Sequence, residues 1–327
     1  MKPAILGIDI AKATFEVALL VEEQWTSGSF DNDRNGFQQL RRWLKKRQVK
    51  QARVCMEASG NYGDSLALYL HEAGHLVSVV NPARIKKYGE SKLRRNKTDQ
   101  LDARLIADFC RTQEPPQWSP PPVEKRELQA LTRRLDALIA DRTRELNRQQ
   151  SGLSSATVQD SIEAHLTFLN QQITALEQQI QDHIDNHPSL RQEQELLTSI
   201  PGIGDKTAAA LLGELPLMDR FDSADQVVAF AGLCPSHHIS GTSVHKRAHL
   251  TRTGKRSLKA LMFFPALTAR RCNPLIQQLV LRLEEKGKPK MVIIGAIMRK
   301  MMRLVYGVLK SGRPFDPNYA VKVQTTG

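Results

Sequence analysis

Four acids in the amino-terminal third of the chain have the types and spacing for metal chemistry. Asp9 lies at the end of the apolar run that starts at Ile5, Glu57 directly follows the run Ala52 to Met56, and Asp99 and Asp102 stand three residues apart. On a helix that last spacing places two carboxylates on one face, with Cβ atoms roughly 5–6 Å apart. Four carboxylates packed together repel, so some take up protons unless a divalent cation supplies compensating charge. Hard oxygen ligands suit Mg²⁺ or Mn²⁺. Two such ions roughly 4 Å apart activate an attacking oxygen and stabilise a leaving one in phosphodiester chemistry. Each acid alone has a plainer role: Asp9 ending a strand, Glu57 in solvent, Asp99 and Asp102 in a helix's first turn, where acids are favoured. Convergence is what would make them a site. Arg94, Arg95 and Lys97, just before the acidic pair, are placed to touch an entering phosphate or to sit in solvent.

The surrounding pattern supplies elements that would position these acids. Ile5 to Ile10 and Thr14 to Val21 read as strands, with Ser27 to Asp31 a third. Phe37, Leu40, Trp43 and Leu44 recur at helical spacing, Ala52 to Met56 reads as a buried strand, Leu66 to Leu70 as helix and Leu76 to Val80 as strand. A last helix is predicted from about Thr98 to Thr112. Three strands, helix, strand, helix, strand, helix is the order of the ribonuclease-H-like, or RuvC-like, α/β fold, in which the first and fourth strands are neighbours and Asp9 and Glu57 share an edge.

The cluster Pro115, Pro116, Pro120, Pro121 and Pro122 cannot continue a helix and marks a boundary. Beyond it, Leu128, Leu131, Leu135 and Leu138, and then Ile162, Leu166, Leu169, Ile173, Leu176 and Ile180, alternate spacings of three and four, the pattern of coiled-coil seams. Extended to Ile184, the second spans roughly 35 Å. The two seams can pair within one chain or between chains. Next, Pro201-Gly202-Ile203-Gly204-Asp205-Lys206 reads as a helix-hairpin-helix, whose second helix begins with N–H groups able to hold a phosphate. Helices are predicted at Ser257 to Arg271, Leu275 to Glu285 and Met291 to Leu309.

Composition narrows the partner. The 327 residues carry a formal net charge of +13, with 41% hydrophobic and 25% charged residues, the balance of a globular chain and not a disordered one. From Gly241 to Arg313 there are 17 Lys and Arg against two acids, Glu284 and Glu285, more than the excess of the whole protein. Such a segment attracts phosphate backbones and releases their counterions. Lys246, Arg247, Arg252, Lys255 and Arg256 are its foremost candidates for nucleic-acid contacts, with Gly202, Gly204 and Lys206 at the hairpin. The longest apolar stretch, Met291 to Leu309, is broken by Arg299, Lys300 and Arg303, so no membrane span is expected. Asp9 interrupts any signal peptide, and four scattered cysteines give no disulfide framework. A cytoplasmic bacterial protein, associated with the nucleoid when active, is the expectation.

At this point the sequence resembles a known family, the DEDD transposases of bacterial insertion sequences of the IS-one-ten kind, which act as bridge-RNA-guided recombinases. The resemblance runs through Gly7-Ile8-Asp9-Ile10-Ala11-Lys12, Glu57-Ala58-Ser59-Gly60, Val80-Asn81-Pro82-Ala83, Asn96-Lys97-Thr98-Asp99-Gln100-Leu101-Asp102-Ala103-Arg104, Pro201-Gly202-Ile203-Gly204 and Ala231-Gly232-Leu233. It implies a RuvC-like DEDD domain over residues 1–114, a linker and coiled coil over 115–190, a mostly helical transposase domain over 191–313 and a tail over 314–327. It further implies Asp9, Glu57, Asp99 and Asp102 as ligands of Mg²⁺ or Mn²⁺, and a nucleophilic serine at Ser240, within Ile239-Ser240-Gly241-Thr242-Ser243-Val244. Thr242 stands where the family commonly has serine, which leaves Ser243 as a weaker candidate. A serine hydroxyl is a poor nucleophile until its proton is removed or its oxygen is held near a metal. The expected activity is strand exchange through a covalent 5′-phosphoserine link. The expected partners are the DNA of element ends and target, a noncoding bridge RNA, and further copies of the chain as a dimer of dimers.

Two other readings remain beside it. A metal-dependent nuclease of the Holliday-junction-resolvase type would cut with water and need no serine. A non-enzymatic nucleic-acid scaffold would keep its acids for structure alone. Cys234, His237, His245 and His249 have spacing resembling a zinc knuckle, but the family pattern has no such zinc, and histidines beside nucleic acid commonly serve as hydrogen-bonding groups.

Overall fold

Apolar, β-rich runs separated by short polar turns make the first three strands a meander. In the computed structural model, β1 (Ala4–Ile10), β2 (Thr14–Val21) and β3 (Gln24–Asp31) pair antiparallel, and β4 (Ala52–Glu57) and β5 (Leu76–Val80) extend the sheet in parallel on the other side of β1. The order β3-β2-β1-β4-β5 is the ribonuclease-H-like arrangement, with the expected neighbours β1 and β4 at its centre. The structure describes residues 3–58, 62–92, 99–152, 155–215, 217–236, 239–240, 244–245, 249–251 and 253–318; at 99–100, 236, 239–240, 244–245 and 249 it describes the backbone alone.

The sheet is covered on both faces. Leu6, Ile8, Phe15, Val17 and Val54 pack with Leu40 and Leu44 of α1 (Arg34–Lys46) and Leu66 and Leu70 of α2 (Asp64–Glu72). Ile5, Leu20, Cys55 and Val80 pack on the other face with Ile85 of α3 (Pro82–Ser91) and Leu105, Ile106 and Phe109 of α4 (Asp99–Gln113). The helix α3 is one more than the sequence pattern predicts. Asn81 caps it, its side chain accepting from Ala83 N–H at 2.8 Å, and Pro82 supplies a preset φ in the first turn.

Contacts divide the chain into two units, Met1–Pro120 and Pro121–Gly327. In the second, α5 (Val123–Gln150) and α6 (Ala156–Asp185) pack along each other within the chain, burying Leu128, Leu135 and Leu138 of one seam and Ile162 through Ile184 of the other. Leu128 belongs to the same buried cluster as Leu211, Val228, Ile276 and Val305, which joins the hairpin to α7 (Pro188–Thr198), α8 (Asp205–Glu214), α9 (Ala224–Phe230), α10 (Arg256–Leu261), α11 (Phe263–Cys272), α12 (Pro274–Glu285) and α13 (Lys290–Ser311). The single helix predicted over Ser257 to Arg271 is two, α10 and α11, meeting at Met262. Pro265 explains the break: it has no N–H for the carbonyl of Leu261, and its ring crowds that group.

A buried carboxylate ties these helices together. Glu214, at the end of α8, takes Arg133 Nε at 3.0 Å, Lys255 Nζ at 2.9 Å and Ser257 Oγ at 2.6 Å. Burial pushes its carboxyl up, but the hydrogen bonds from Ser257, Lys255 and Arg133 and the charge of Lys255 together outweigh that and hold it below the ordinary 4.5. A group depressed in the folded state contributes stability that is present above its unfolded value and lost as pH falls through the folded one. The melting temperature is therefore expected to drop on acidification below about 4.5. Calorimetry of Glu214→Gln should show a less stable protein whose curve is flatter in that range.

Candidate active site

β1 and β4 bring the first two acids together by register. Their parallel pairing runs to Ile8 opposite Met56, so Asp9 and Glu57 each stand one residue further on, side by side on adjacent strands. Odd-numbered residues of both strands face α4. Ile5 and Cys55 pack into its core, and Gly7 lies so near that an added Cβ would meet the Ala103 carbonyl oxygen at 2.2 Å and the Ala107 nitrogen at 2.3 Å. Asp9 and Glu57 therefore share the α4 face.

The direction of α4 brings the other pair to the same end. Arg53, early in β4, pairs at 3.2 Å with Glu114, just past the carboxyl end of the helix, while Gly7 meets its middle. The helix runs opposite to β1 and β4, so its first turn, with Asp99 and Asp102, lies at the end of the sheet where Asp9 and Glu57 emerge. Asp102 is half-buried. The Asp99 backbone opens the helix, and its side chain is outside the described residues. Among the described residues no three His, Cys, Asp or Glu side chains stand close enough to hold a metal ion. Asp9, Glu57 and Asp102 thus share an end and a face of the sheet without closing a cage by themselves.

Sequence reasoning missed a further acid here. Glu16 on β2 is directly opposite Asp9, on the same face, and its buried Oε2 has no hydrogen-bond partner among the described residues. Like charges directly opposite across a sheet destabilise it, and an orphaned anionic oxygen is relieved by a cation. The donor set is all carboxylate oxygen, so the residues fit a hard divalent ion. A signal was present in the sequence, a single charge inside Thr14-Phe15-Glu16-Val17-Ala18-Leu19-Leu20-Val21. Glu16→Gln is expected to raise stability in the absence of metal by about 1 kcal/mol. A lower melting temperature than the parent's would contradict this.

The second candidate region lies in the other unit. Ile239–Ser240 pairs antiparallel with Val244–His245, Ser240 opposite Val244, so Ser240 is the last residue of its strand. Gly241, Thr242 and Ser243 lie outside the described residues, as do the side chain of Ser240 and Arg94, Arg95, Lys97, His237, Lys246, Arg247 and Arg252. The remaining basic candidates differ in setting. Arg256 is exposed, Lys255 is engaged by Glu214, and Lys206 pairs with Glu177 of α6. At the hairpin between α7 and α8, Gly202 adopts φ +105° with Ala269 packed against it, and Gly204 precedes α8 with no side-chain cap.

Residues 6–158 match a family model of DEDD type described as a transposase, and residues 194–281 match the model "Transposase IS116/IS110/IS902 family". The pilin gene-inverting protein of Moraxella bovis is 35% identical over 97% of this chain and 98% of its own length. The chain belongs to the IS110 family of transposases. Membership makes it a DNA transposase or recombinase, an enzyme that cleaves and rejoins DNA strands. The first matched segment contains all four acids and the second contains Ser240. Another relative, the transposase for insertion sequence element IS1328 of Yersinia enterocolitica, is 23% identical over 79% of this chain and 81% of its own. A solved structure of T. thermophilus RuvC in complex with Holliday junction substrate aligns with 35% of this chain and 98% of its own at 12% identity, with a TM-score of 0.28, too slight a likeness to bear on fold or function.

Proposed function

We propose that this IS110-family transposase exchanges DNA strands through a covalent 5′-phosphoserine intermediate, with Asp9, Glu57, Asp99 and Asp102 holding Mg²⁺ or Mn²⁺ and Ser240 as nucleophile. The observation that carries the metal site is the arrival of Asp9, Glu57 and the first turn of α4 at one end of the sheet. When bound, the cations would supply charge stabilisation to the reacting phosphate. Ser240 Oγ loses its proton and bonds to phosphorus as the bond to the 3′ oxygen breaks, which leaves a 3′ hydroxyl. A 3′ hydroxyl from a different strand then attacks the same phosphorus, forming the new phosphodiester as the bond from phosphorus to Ser240 Oγ breaks, and its proton passes to Ser240. No water is consumed. Arg94, Arg95 and Lys97, beside the acids, and Gly202, Gly204, Lys246, Arg247, Arg252 and Arg256 contribute phosphate contacts.

Family membership supports the remaining features. Residues 1–114 provide the acids, 115–190 the self-association helices, and 191–313 the serine, within a tetramer that brings the acids of one protomer to the serine of another. A noncoding bridge RNA selects donor and target by base pairing. The test is trapping on a denaturing gel with element-end DNA. The parent should form a protein–DNA adduct, and Ser240→Ala should form none. An adduct that persists in Ser240→Ala removes Ser240 as the nucleophile, and cleavage with no adduct in either protein points to water.

A further inference from the structure

α12 and α13 form a hairpin whose outer side carries three adjoining cavities, of about 430, 360 and 340 Å³, and Lys300 lines all three. Their floor is aliphatic. Leu275, Leu279 and Leu283 recur every four residues along α12, and Ala296, Leu304 and Gly307 face them from α13, so the cavities join as one strip between the helices. From Ala296 to Gly307 the strip runs roughly 17 Å. Tyr306 and Phe315 line the largest of the three cavities.

The rim is cationic, and only part of it is neutralised. Arg299 and Arg303 share Asp225, and Lys310 faces Asp219. Arg282, Lys300 and Arg313 have no ion-pair partner among the described residues. Asp316 is the one acid among the described residues that line the strip. An occupant must therefore bring negative charge at regular intervals along an edge and apolar faces behind it.

We propose that this groove holds single-stranded DNA, the kind of strand that exchange sets free. A single strand places phosphates on the rim and turns sugars and base faces to the floor, with Tyr306 and Phe315 stacking a base. A duplex keeps its bases inside and would lay charged backbone over aliphatic side chains. Deoxyribose is preferred over ribose because a 2′ hydroxyl pressed on leucine loses its water and gains no partner. The inference rests on the chain being a DNA recombinase and is independent of which residue is the nucleophile, so adduct formation is scored separately.

The test is fluorescence anisotropy of the full chain with a labelled oligothymidylate about 12 nucleotides long, within the site sizes of single-strand binders, and with a duplex of matched length. In the triple variant Arg282→Glu, Lys300→Glu, Arg313→Glu, single-strand affinity should fall at least about tenfold and duplex affinity less than about twofold. The salt slope should drop by about 2, three contacts at roughly 0.7 each. If that variant melts below the parent, Lys300→Gln and Arg313→Gln are read singly, each lowering the slope by about 0.7. Unchanged single-strand binding, or equal losses for strand and duplex, overturns the proposal. Competition by oligouridylate as strong as by oligothymidylate overturns the assignment to DNA.

Discussion

Asp102→Asn should lower recombination by roughly a thousandfold or more while leaving folding and DNA binding intact. The substitution preserves shape and removes one negative charge from the end of the sheet where Asp9 and Glu57 emerge. Losing a metal-held carboxylate forfeits several kcal/mol of charge stabilisation, and each 1.36 kcal/mol is about tenfold in rate. Asp102 is half-buried in the first turn of a helix whose opposite end is fixed by the ion pair of Arg53 with Glu114, so the backbone has no reason to move. Excision and insertion products measured by quantitative amplification, with a melting curve and a DNA-binding isotherm on the same preparation, check it. Full activity in Asp102→Asn would mean that this acid is structural, as in a non-enzymatic scaffold.

The second large effect is on stability. Gly7→Val should cost the amino-terminal unit about 3 kcal/mol or more, because the first added carbon already meets the Ala103 carbonyl and the Ala107 nitrogen at 2.2 and 2.3 Å. Those atoms are helix backbone and cannot rotate away, so α4 must lift from the sheet and carry Asp99 and Asp102 with it. Gly204→Ala is the control. Nothing lies within 4 Å of a Cβ there, so it should change the melting temperature little. Denaturant unfolding of both variants measures the difference, and equal losses would contradict the close packing of α4 on β1.

Much of the fold can be read from the chain because its signals are local. Apolar runs that stop at Asp9 and Glu57, and the three-residue spacing of Asp99 and Asp102, are visible without coordinates. Asn81-Pro82 was an equally local signal, a cap followed by a preset φ, yet α3 follows so closely on β5 that the apolar pattern does not separate it. Pro265 likewise marks the break between α10 and α11, but only when its missing N–H is traced back to Leu261.

What depends on pairing is not legible in this way. The seams of α5 and α6 fit either an intrachain or an interchain partner until the hairpin is seen to close. The opposition of Glu16 to Asp9 requires the register of β1 on β2, which no spacing encodes. Lys255 reads as one more surface cation in a basic segment, whereas Glu214, forty-one residues away, claims its ammonium. The groove between α12 and α13 is similarly a property of two faces together.

The shared end of the sheet is most directly examined by local oxidative cleavage. Ferrous ion is supplied to the protein without Mg²⁺, ascorbate and peroxide are added, and the cut positions in the polypeptide are mapped by mass spectrometry. Cuts are expected beside residues 9, 57 and 99–102, suppressed by excess Mg²⁺ and absent from Asp9→Asn. Cuts confined to other segments, or a pattern that Asp9→Asn leaves unchanged, would show that these carboxylates do not hold a common ion.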